Sequence, residues 1–389
     1  MRLTINQHNL AKALGIVSRA VSSRTTMPVL SNILLATDGD DRLKLSATNR
    51  EIAITCWIGA RVDDDGAITI PAKLLTEFVN SLPDAQITMD LAVRTQTLGL
   101  KCGKFTANIK GIDAYEFPLI PALHDADGEI AQRLIDIAPI ALAPGELSTM
   151  IDRVTFAASS DENRPTLTGV LMTMSEELTM AATDGFRLSV AKRGIDYSIA
   201  DAAMAIVPAR NLATVVQAAK EARRCDLYVT SKDVLFSLDG TDKAGWQRME
   251  VVSELIDARY PDYNATVPKN STTTASVNTA QLLSAVRVAS LFTTEDTGNI
   301  IRLTAQPDKP MTIASTNAES GDNVSTVEAD IAGDGLEIAL NAKYVLDVLN
   351  KGELGDTVTL EFTQPTRPMV VRAADGYMHI VMPLHPPRG

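Results

Sequence analysis

The residues that could carry catalysis are few in this chain of 389 residues. Asp184 and Arg187, in the segment TDGFRL, are the nearest approach to a catalytic pair. A turn carboxylate and a surface guanidinium at the start of a strand are the commoner interpretation of such a pair. The sequence contains no Gly-rich phosphate loop, no GxSxG and no HExxH. We therefore predict that the chain is not an enzyme.

Metal and redox chemistry are not indicated either. The histidines and cysteines are isolated and fit no ligand spacing: His8, His124, His379, His385, Cys56, Cys102 and Cys225. His379 lies in an alternating, strand-like segment, where a structural role is expected. Isolated cysteines in a reducing compartment are typically small, buried hydrophobic residues. The sequence predicts no metal site and no cofactor.

The elements that hold these residues repeat three times along the chain. Three tripeptides each follow an apolar alternating run: ATN at 47–49, ATD at 182–184 and STN at 315–317. The interval is 135 residues from Thr48 to Thr183 and 133 residues from Thr183 to Thr316. A period of this length indicates a whole small domain and not a solenoid unit.

A second set of markers has nearly the same period: PAK at 71–73, PAR at 208–210 and NAK at 341–343. Each marker precedes an amphipathic helical pattern. Each repeat also begins with such a pattern, and in the first copy the apolar face runs from Leu10 to Val21. The remainder is typical of short strands with polar turns.

These patterns predict an α+β fold of three repeated domains. Each domain would have two helices packed against antiparallel sheets. The predicted bounds are 1–122, 134–264 and 271–389. The hydrophobic content of 45% suffices for a core in each unit, and no apolar run has the length of a membrane span. We expect a cytoplasmic protein, since the N-terminus has no signal-peptide pattern.

Charge is distributed unevenly in this chain. The net charge is −12, which by itself argues against nucleic acid as a partner. Acidic residues cluster in loops at 38–41, 63–65 and 124–129, whereas the polar faces of the helices are basic. One interpretation is that these basic side chains only keep the polar helix faces in contact with water. The other is that the repeated helices form one basic surface.

Five segments stand out beside the triple repeat: MPVLSNILL at 27–35, TDGFRLSV at 183–190, ARYPDYNATVP at 258–268, NAKYVLDVLN at 341–350 and HIVMPL at 379–384. Together they resemble one family, the bacterial sliding clamps, which are the beta subunit of DNA polymerase III. The resemblance extends over essentially the full length. It implies a replication processivity clamp in which two chains pair head to tail into a ring of six domains around duplex DNA.

The resemblance also gives the basic helix faces a role. The helices would line the hole and attract phosphates without reading sequence, while the acidic exterior repels DNA. The DNA-facing residues would be Lys12, Arg19, Arg24, Lys73, Arg210, Lys220 and Lys343. Nothing in the sequence resembles a base-reading element. Any nucleotidyltransferase activity would then belong to the polymerase that the clamp tethers.

The resemblance further implies a groove between the second and third domains for short peptides of the clamp loader, polymerases and repair proteins. Carried over motif by motif, its walls are Leu167, Thr183, Gly185, Phe186, Arg187, Leu188, Pro261, Asn341, Tyr344, Ile380, Val381, Met382, Pro383 and Leu384. Arg187 is expected to donate to the peptide at the rim. Leu188 and Val381 could equally be ordinary core residues.

Several positions depart from the family pattern. Ala265 stands where an arginine is frequent, Phe186 where a histidine is frequent and Gly298 where an aromatic residue is frequent. The chain also continues past the usual MPL ending with residues 385–389, which could partly cover the groove. These differences suggest that the peptide preference differs in detail from that of other members.

The same resemblance places the contact between the two chains of the ring. Phe292, at the end of the third domain's first helix, is expected to be an exposed hydrophobic residue there. It would face the first domain's edge strand near Phe105 and Ala107.

Two other functions remain compatible with the residues alone. One is a nucleic-acid enzyme with its site near Asp184 and Arg187, and the other is a three-domain scaffold without a role on DNA. The mass in solution separates them, since only the clamp requires a homodimer.

Overall fold

In the described part of the chain two α-helices fall in each sequence repeat, as the repeat predicts. The structure is a computed structural model, and it describes residues 1–22, 25–39, 41–120, 123, 139–194, 203–296 and 298–384. Within these ranges the α-helices are α1 Gln7–Val17, α2 Ala72–Ser81, α3 Pro144–Thr155, α4 Ala209–Ala219, α5 Thr279–Ser290 and α6 Ala342–Lys351. In the first pair α1 packs on α2, and in the third pair α5 packs on α6.

The predicted apolar faces of these helices are buried. Leu10, Leu14 and Val17 are inaccessible on α1, and Leu282 and Val286 are inaccessible on α5. The first helix is shorter than its pattern suggests, because α1 ends at Val17 and a 3-10 turn follows. Val21 therefore lies beyond the helix whose face it was expected to extend.

Asparagine side chains explain where three of the helices begin. Asn6 accepts from the backbone N–H of His8, Asn278 accepts from that of Gln281, and Asn341 accepts from the backbone at the start of α6. An asparagine in extended conformation at this position satisfies a backbone donor that has no partner within the helix. The NAK marker at 341–343 is therefore a helix start.

The chain divides into two compact units, and neither unit coincides with one sequence repeat. The first contains residues 1–148 and 210–255, and the second contains residues 149–209 and 256–389. Every described sheet belongs to one unit or the other, and every strand pairing is antiparallel.

Two sheets form the first unit. The five-stranded sheet has the order β5-β1-β7-β8-β9 and the eight-stranded sheet has the order β10-β15-β16-β17-β4-β3-β2-β6. The strands are β1 Arg2–Asn6, β2 Asn32–Thr37, β3 Arg42–Thr48, β4 Ile52–Gly59, β5 Arg61–Asp64, β6 Ala67–Pro71, β7 Gln86–Ala92, β8 Thr97–Cys102, β9 Phe105–Lys110, β10 Ile140–Leu142, β15 Ala222–Val229, β16 Asp233–Gly240 and β17 Arg248–Glu254. The pairing of β4 with β17 joins strands of the first and second repeats.

Two further sheets form the second unit. The nine-stranded sheet has the order β14-β11-β12-β13-β26-β25-β24-β18-β22 and the four-stranded sheet has the order β21-β20-β19-β23. The strands are β11 Gly169–Met174, β12 Glu177–Thr183, β13 Arg187–Gly194, β14 Ala203–Pro208, β18 Thr273–Asn278, β19 Ile300–Ala305, β20 Met311–Asn317, β21 Gly321–Val327, β22 Ala329–Gly333, β23 Leu336–Asn341, β24 Thr357–Phe362, β25 Met369–Arg372 and β26 Met378–Val381. Here β13 and β26 join the second repeat to the third.

The cysteines belong to the cores of these layers. Cys56, Cys102 and Cys225 are free and buried. Burial raises the pKa of Cys225 to about 12, because the thiolate would lose its hydration. The predicted role as small hydrophobic residues is confirmed.

None of the helices in the described ranges is both long and apolar enough to span a membrane.

Candidate functional site

The motifs TDGFRL and HIVMPL lie side by side in the second unit. In the pairing of β13 with β26, Arg187 is opposite Val381 and Leu188 is opposite Ile380. The backbone N–H of Met382 continues this ladder by donating to the carbonyl of Phe186 at 2.9 Å. Two segments almost 200 residues apart in sequence are therefore held in one register.

The start of α6 lies against the same C-terminal segment. The backbone N–H of Leu384 donates to the carbonyl of Ala339, just before the helix. Asn341 caps α6 with its side-chain oxygen, and its Nδ2 donates to the carbonyl of Gly298 at 3.1 Å. Gly298 has φ of +76°, where a side chain is strained, so an aromatic residue does not suit this backbone.

The surface of this region is apolar and partly open. Phe186 is 54% exposed, and Gly185 and Pro261 are also exposed. The remaining open members are half-buried: Leu167, Thr183, Asn341, Tyr344, Met382, Pro383 and Leu384. We call these ten residues the groove. Ala265 is exposed in the 3-10 turn Tyr263–Thr266, and residues 385–389 lie outside the described residues.

Three of the expected groove residues are core residues instead. Leu188, Ile380 and Val381 are each at most 3% exposed. Leu188 and Ile380 belong to one hydrophobic cluster with Tyr260. Leu188 and Ile380 are opposite each other on one face of the strand pair and Val381 points to the other face, so both faces are covered and these three side chains are withdrawn from solvent.

Arg187 is held by two carboxylates of the protein itself. Its Nε donates to Asp184 Oδ2 at 3.0 Å and its Nη1 donates to Asp347 Oδ2 at 2.5 Å. Only 9% of its side chain is exposed. It is therefore not an exposed guanidinium, and the carboxylate of Asp184 is bound to it; donation by Arg187 to a peptide stays a prediction.

A buried histidine lies in the strand that begins the HIVMPL segment. His379 in β26 is inaccessible, and its ring centroid lies 5.4 Å from that of Phe156, with the two rings tilted by 31°. Burial, with a smaller effect of the Arg187 charge, lowers the pKa of His379 to about 3. The neutral ring is therefore the stable form, which agrees with the expected structural role.

Each unit also has a sheet edge that is a candidate contact surface. Strand β9 is the last strand of the five-stranded sheet, and β21 is the last strand of the four-stranded sheet. Phe105 on β9 is 52% exposed and Ala107 is half-buried. An unpaired edge offers backbone donors and acceptors to another strand.

Near the second edge, the exposed hydrophobic residue is not the expected one. Phe292 is half-buried, whereas its neighbour Leu291, the C-cap of α5, is 73% exposed. Val324 on β21 is also exposed. The apolar run SLF at 290–292 contained the signal, but the sequence could not show which of its two large residues turns inward.

The predicted basic residues fall into two groups. Arg19, Lys73, Lys220 and Lys343 are exposed, and Lys73 approaches Glu77 only to 4.0 Å. Lys12 Nζ lies 3.1 Å from Glu221 and donates to the carbonyl of Lys243, and Arg210 pairs with Glu51. The second group is therefore partly neutralised. Arg24 lies outside the described residues.

In the part of the chain that the structure describes, no group of histidine, cysteine and carboxylate side chains could hold a metal ion. The arrangement suits capture of an apolar peptide and attraction of phosphates. It contains no free nucleophile with a base beside it among the groove residues.

Comparison with known proteins accounts for nearly the whole chain. Models of the DNA polymerase III beta subunit match in their natural order. The N-terminal domain matches residues 1–121, the central domain residues 141–262 and the C-terminal domain residues 264–385.

Named relatives and solved structures agree with these matches. The beta sliding clamp of Bacillus subtilis is 30% identical over 384 residues, and that of Caulobacter vibrioides is 32% identical over 395 residues; at least 95% of each chain is covered. The B. subtilis clamp structure superposes with a TM-score of 0.88 at 28% identity, covering 99% of both chains. A C. crescentus beta sliding clamp was solved with polyethylene glycol at its suggested beta-motif tethering region. It superposes with a TM-score of 0.87 at 31% identity and with the same coverage.

Proposed function

The chain belongs to the family of the DNA polymerase III beta subunit, the beta sliding clamps, and from this membership we propose how it forms a ring, holds DNA and binds partners. The family is a processivity subunit and is not itself catalytic. The observation that carries the proposal is the ordered match of three clamp domains along one chain. We propose 1–122, 134–264 and 271–389 as the domain bounds.

Two copies pair head to tail through β9 of one and β21 of the other. Among the described residues neither strand has a second partner, and the two strands are similar in length, at six and seven residues. Phe105 beside one edge and Leu291 beside the other supply exposed apolar surface. Because the two edges differ, the contact is heterologous, and a rotation that closes gives a ring.

The charges beside the two edges support this pairing. Lys101 lies on the neighbouring β8 and Lys104 just before β9, whereas Glu319 precedes β21 and Asp322 lies at its start. Opposite charges favour the pairing of unlike edges, and like charges disfavour the pairing of two identical edges. These charges therefore support head-to-tail closure rather than the pairing of β9 with a second β9.

Duplex DNA passes through the ring and is held by topology. The exposed cations Arg19, Lys73, Lys220 and Lys343 give a weak attraction to phosphates that does not depend on sequence. Topological linkage raises the local concentration of a tethered polymerase without strong affinity for DNA. The protein acts in the cytoplasm, as a bacterial replication subunit.

The groove binds short peptides of the clamp loader, the polymerase and repair proteins. Its open apolar side chains and few polar groups suit an extended peptide with leucine and phenylalanine anchors. The C. crescentus structure, which holds a polymer at its suggested tethering region, supports a site of this kind in the family.

The rival site at Asp184 and Arg187 has little structural support. Both side chains are largely buried, at 14% and 9% exposure, and they are bound to each other. A catalytic pair would need a free lone pair or proton directed at a substrate.

Two measurements test the proposed function. Sedimentation should give about twice the chain mass of 41.7 kDa. After loading onto a nicked circular plasmid, the protein should remain bound in high salt and leave when the plasmid is linearised. A monomer in solution, or equal retention on linear and circular DNA, would contradict the ring.

A further inference from the structure

The guanidinium of Arg187 is enclosed on its faces as well as its edges. The Tyr344 ring lies 4.6 Å from the guanidinium carbon and the Phe156 ring lies 5.6 Å from it. Its N–H groups donate to Asp184 and Asp347, as described above. A planar guanidinium can bind two carboxylates at its edges and two rings at its faces, which a lysine cannot do.

These partners lie on two elements that carry groove residues. Asp184 shapes the loop before β13, because its Oδ1 accepts from the backbone N–H groups of Phe186 at 2.8 Å and Arg187 at 3.0 Å. Tyr344 and Asp347 are one turn apart on α6. Arg187 therefore connects the loop to the helix.

The same anchor determines where Phe186 is placed. Arg187 turns inward and its neighbour Phe186 is exposed, as expected for successive residues at the start of a strand. The carbonyl of Phe186 also accepts from Met382. A change in the position of Arg187 would consequently move two groove residues.

We propose that Arg187 is a positioning residue for partner peptides: it ties the loop at 183–187 to α6 and so fixes the groove in its binding geometry. The inference rests on the proposed peptide-binding function. A groove that is already ordered avoids the entropic cost of arranging its walls when a peptide binds.

A double-mutant cycle tests this role in the full-length protein. Arg187→Gln, Asp347→Asn and the double variant are titrated calorimetrically with a synthetic peptide of the Gln-x-x-Leu-x-Phe type. We expect each single variant to weaken binding about tenfold and the double variant to be little weaker than either, because members of one ion-pair network are not additive. Arg187→Lys keeps the charge but not the bidentate geometry and should be intermediate.

The chain offers a matched control in the same unit. Arg153 is also largely buried, pairs with Asp375 and lies 5.3 Å from the Tyr377 ring, but none of these residues belongs to the groove. Arg153→Gln and Asp375→Asn should lower the melting temperature to a similar extent and change peptide affinity by less than about twofold.

The outcomes separate the two proposals. If the unmodified protein does not bind the peptide, the proposed groove is wrong. If it binds and the Arg187 and Asp347 variants bind equally well or more tightly, the groove stands and the positioning role is overturned. An equal loss of affinity in the Arg153 variants would also overturn it, since the effect would then follow from general instability. Where Arg187→Gln does not fold, Arg187→Lys and Asp347→Asn decide by the same criteria.

Discussion

Ser189 Oγ lies 2.6 Å from His379 Nδ1, across the strand pair β13 and β26 that joins the second repeat to the third. Both residues are inaccessible to solvent. The other ring nitrogen, Nε2, is buried and has no hydrogen-bond partner among the described residues. An added proton on this ring would therefore be a buried charge without compensation.

The stability of the protein should consequently fall in mild acid. The pKa of His379 is lowered to about 3 in the folded state, below its ordinary value near 6.5. Between these two pKa values the unfolded chain binds more protons than the folded chain. The contribution of His379 to the free energy of unfolding is therefore complete above pH 6.5 and decreases as pH falls. The slope contributed by one such group is at most about 1.4 kcal/mol per pH unit. Urea unfolding between pH 7 and 5 measures it, before most carboxylates titrate.

The control for this prediction removes the titration and keeps the hydrogen bond. His379→Gln should be less stable than the parent at pH 7, but its free energy of unfolding should change less between pH 7 and 5. Parallel curves for the two proteins would show that other groups cause the acid sensitivity.

The ring contact should depend on the two free edges. Phe105→Asp or Leu291→Asp should convert the dimer to a monomer, because a desolvated charge at a small apolar contact costs several kcal/mol. Phe292→Asp should also dissociate the dimer. Because the Phe292 side chain is half-buried, this variant should in addition have a lower free energy of unfolding as a monomer.

Sedimentation and circular dichroism together check the ring contact. Met204→Asp is the matched control, since Met204 is 64% exposed on β14 and away from both edges. Intact dimers for both Phe105→Asp and Leu291→Asp would refute the placement of the contact. If Met204→Asp were a monomer, the contact between the two chains would have to lie on another strand edge.

The sequence predicted local elements better than the contacts between repeats. Markers such as NAK at 341–343 identify helix starts because the cap is local, and the helix faces follow from spacing alone. The union of β4 with β17 and of β13 with β26 has no local signature, so three repeats could be predicted but not two compact units. The partner of Arg187 was missed for the same reason, because Asp347 is 160 residues away.

One edge was predicted and the other was not, for a related reason. Phe105 and Ala107 lie on β9, which is an edge strand as expected. Strand β21 has the sequence GDNVSTV, which is largely polar and is recognised as a strand only by its pairing with β20. Edge strands with polar residues avoid aggregation, and this composition weakens the hydrophobic alternation that predicts a strand.

The attraction to DNA should come mainly from the exposed cations. Replacing Arg19, Lys73, Lys220 and Lys343 with glutamine should weaken retention on DNA and reduce the dependence of log K on log salt by about one for each phosphate that is no longer neutralised. Lys12→Gln with Arg210→Gln should have a smaller effect per charge, since both cations have carboxylate partners.

Dimer mass and circular dichroism should not change in these glutamine variants. If the fourfold variant supported processive synthesis and held DNA as well as the parent does, the basic side chains would have no role on DNA and would only keep the helix faces in contact with water.

Peptide binding should depend on the segment that follows β26. Met382 is half-buried, and its backbone N–H fixes it beside Phe186. Met382→Ala and deletion of the residues after Val381 should each weaken a Gln-x-x-Leu-x-Phe peptide by about 1 to 3 kcal/mol, the range for truncating a buried anchor side chain. DNA encirclement should persist, because neither change affects β9 or β21. Calorimetric titration decides the matter, with Met204→Ala as an exposed methionine outside the groove: unchanged affinity in both groove variants would mean that peptides bind elsewhere on the chain.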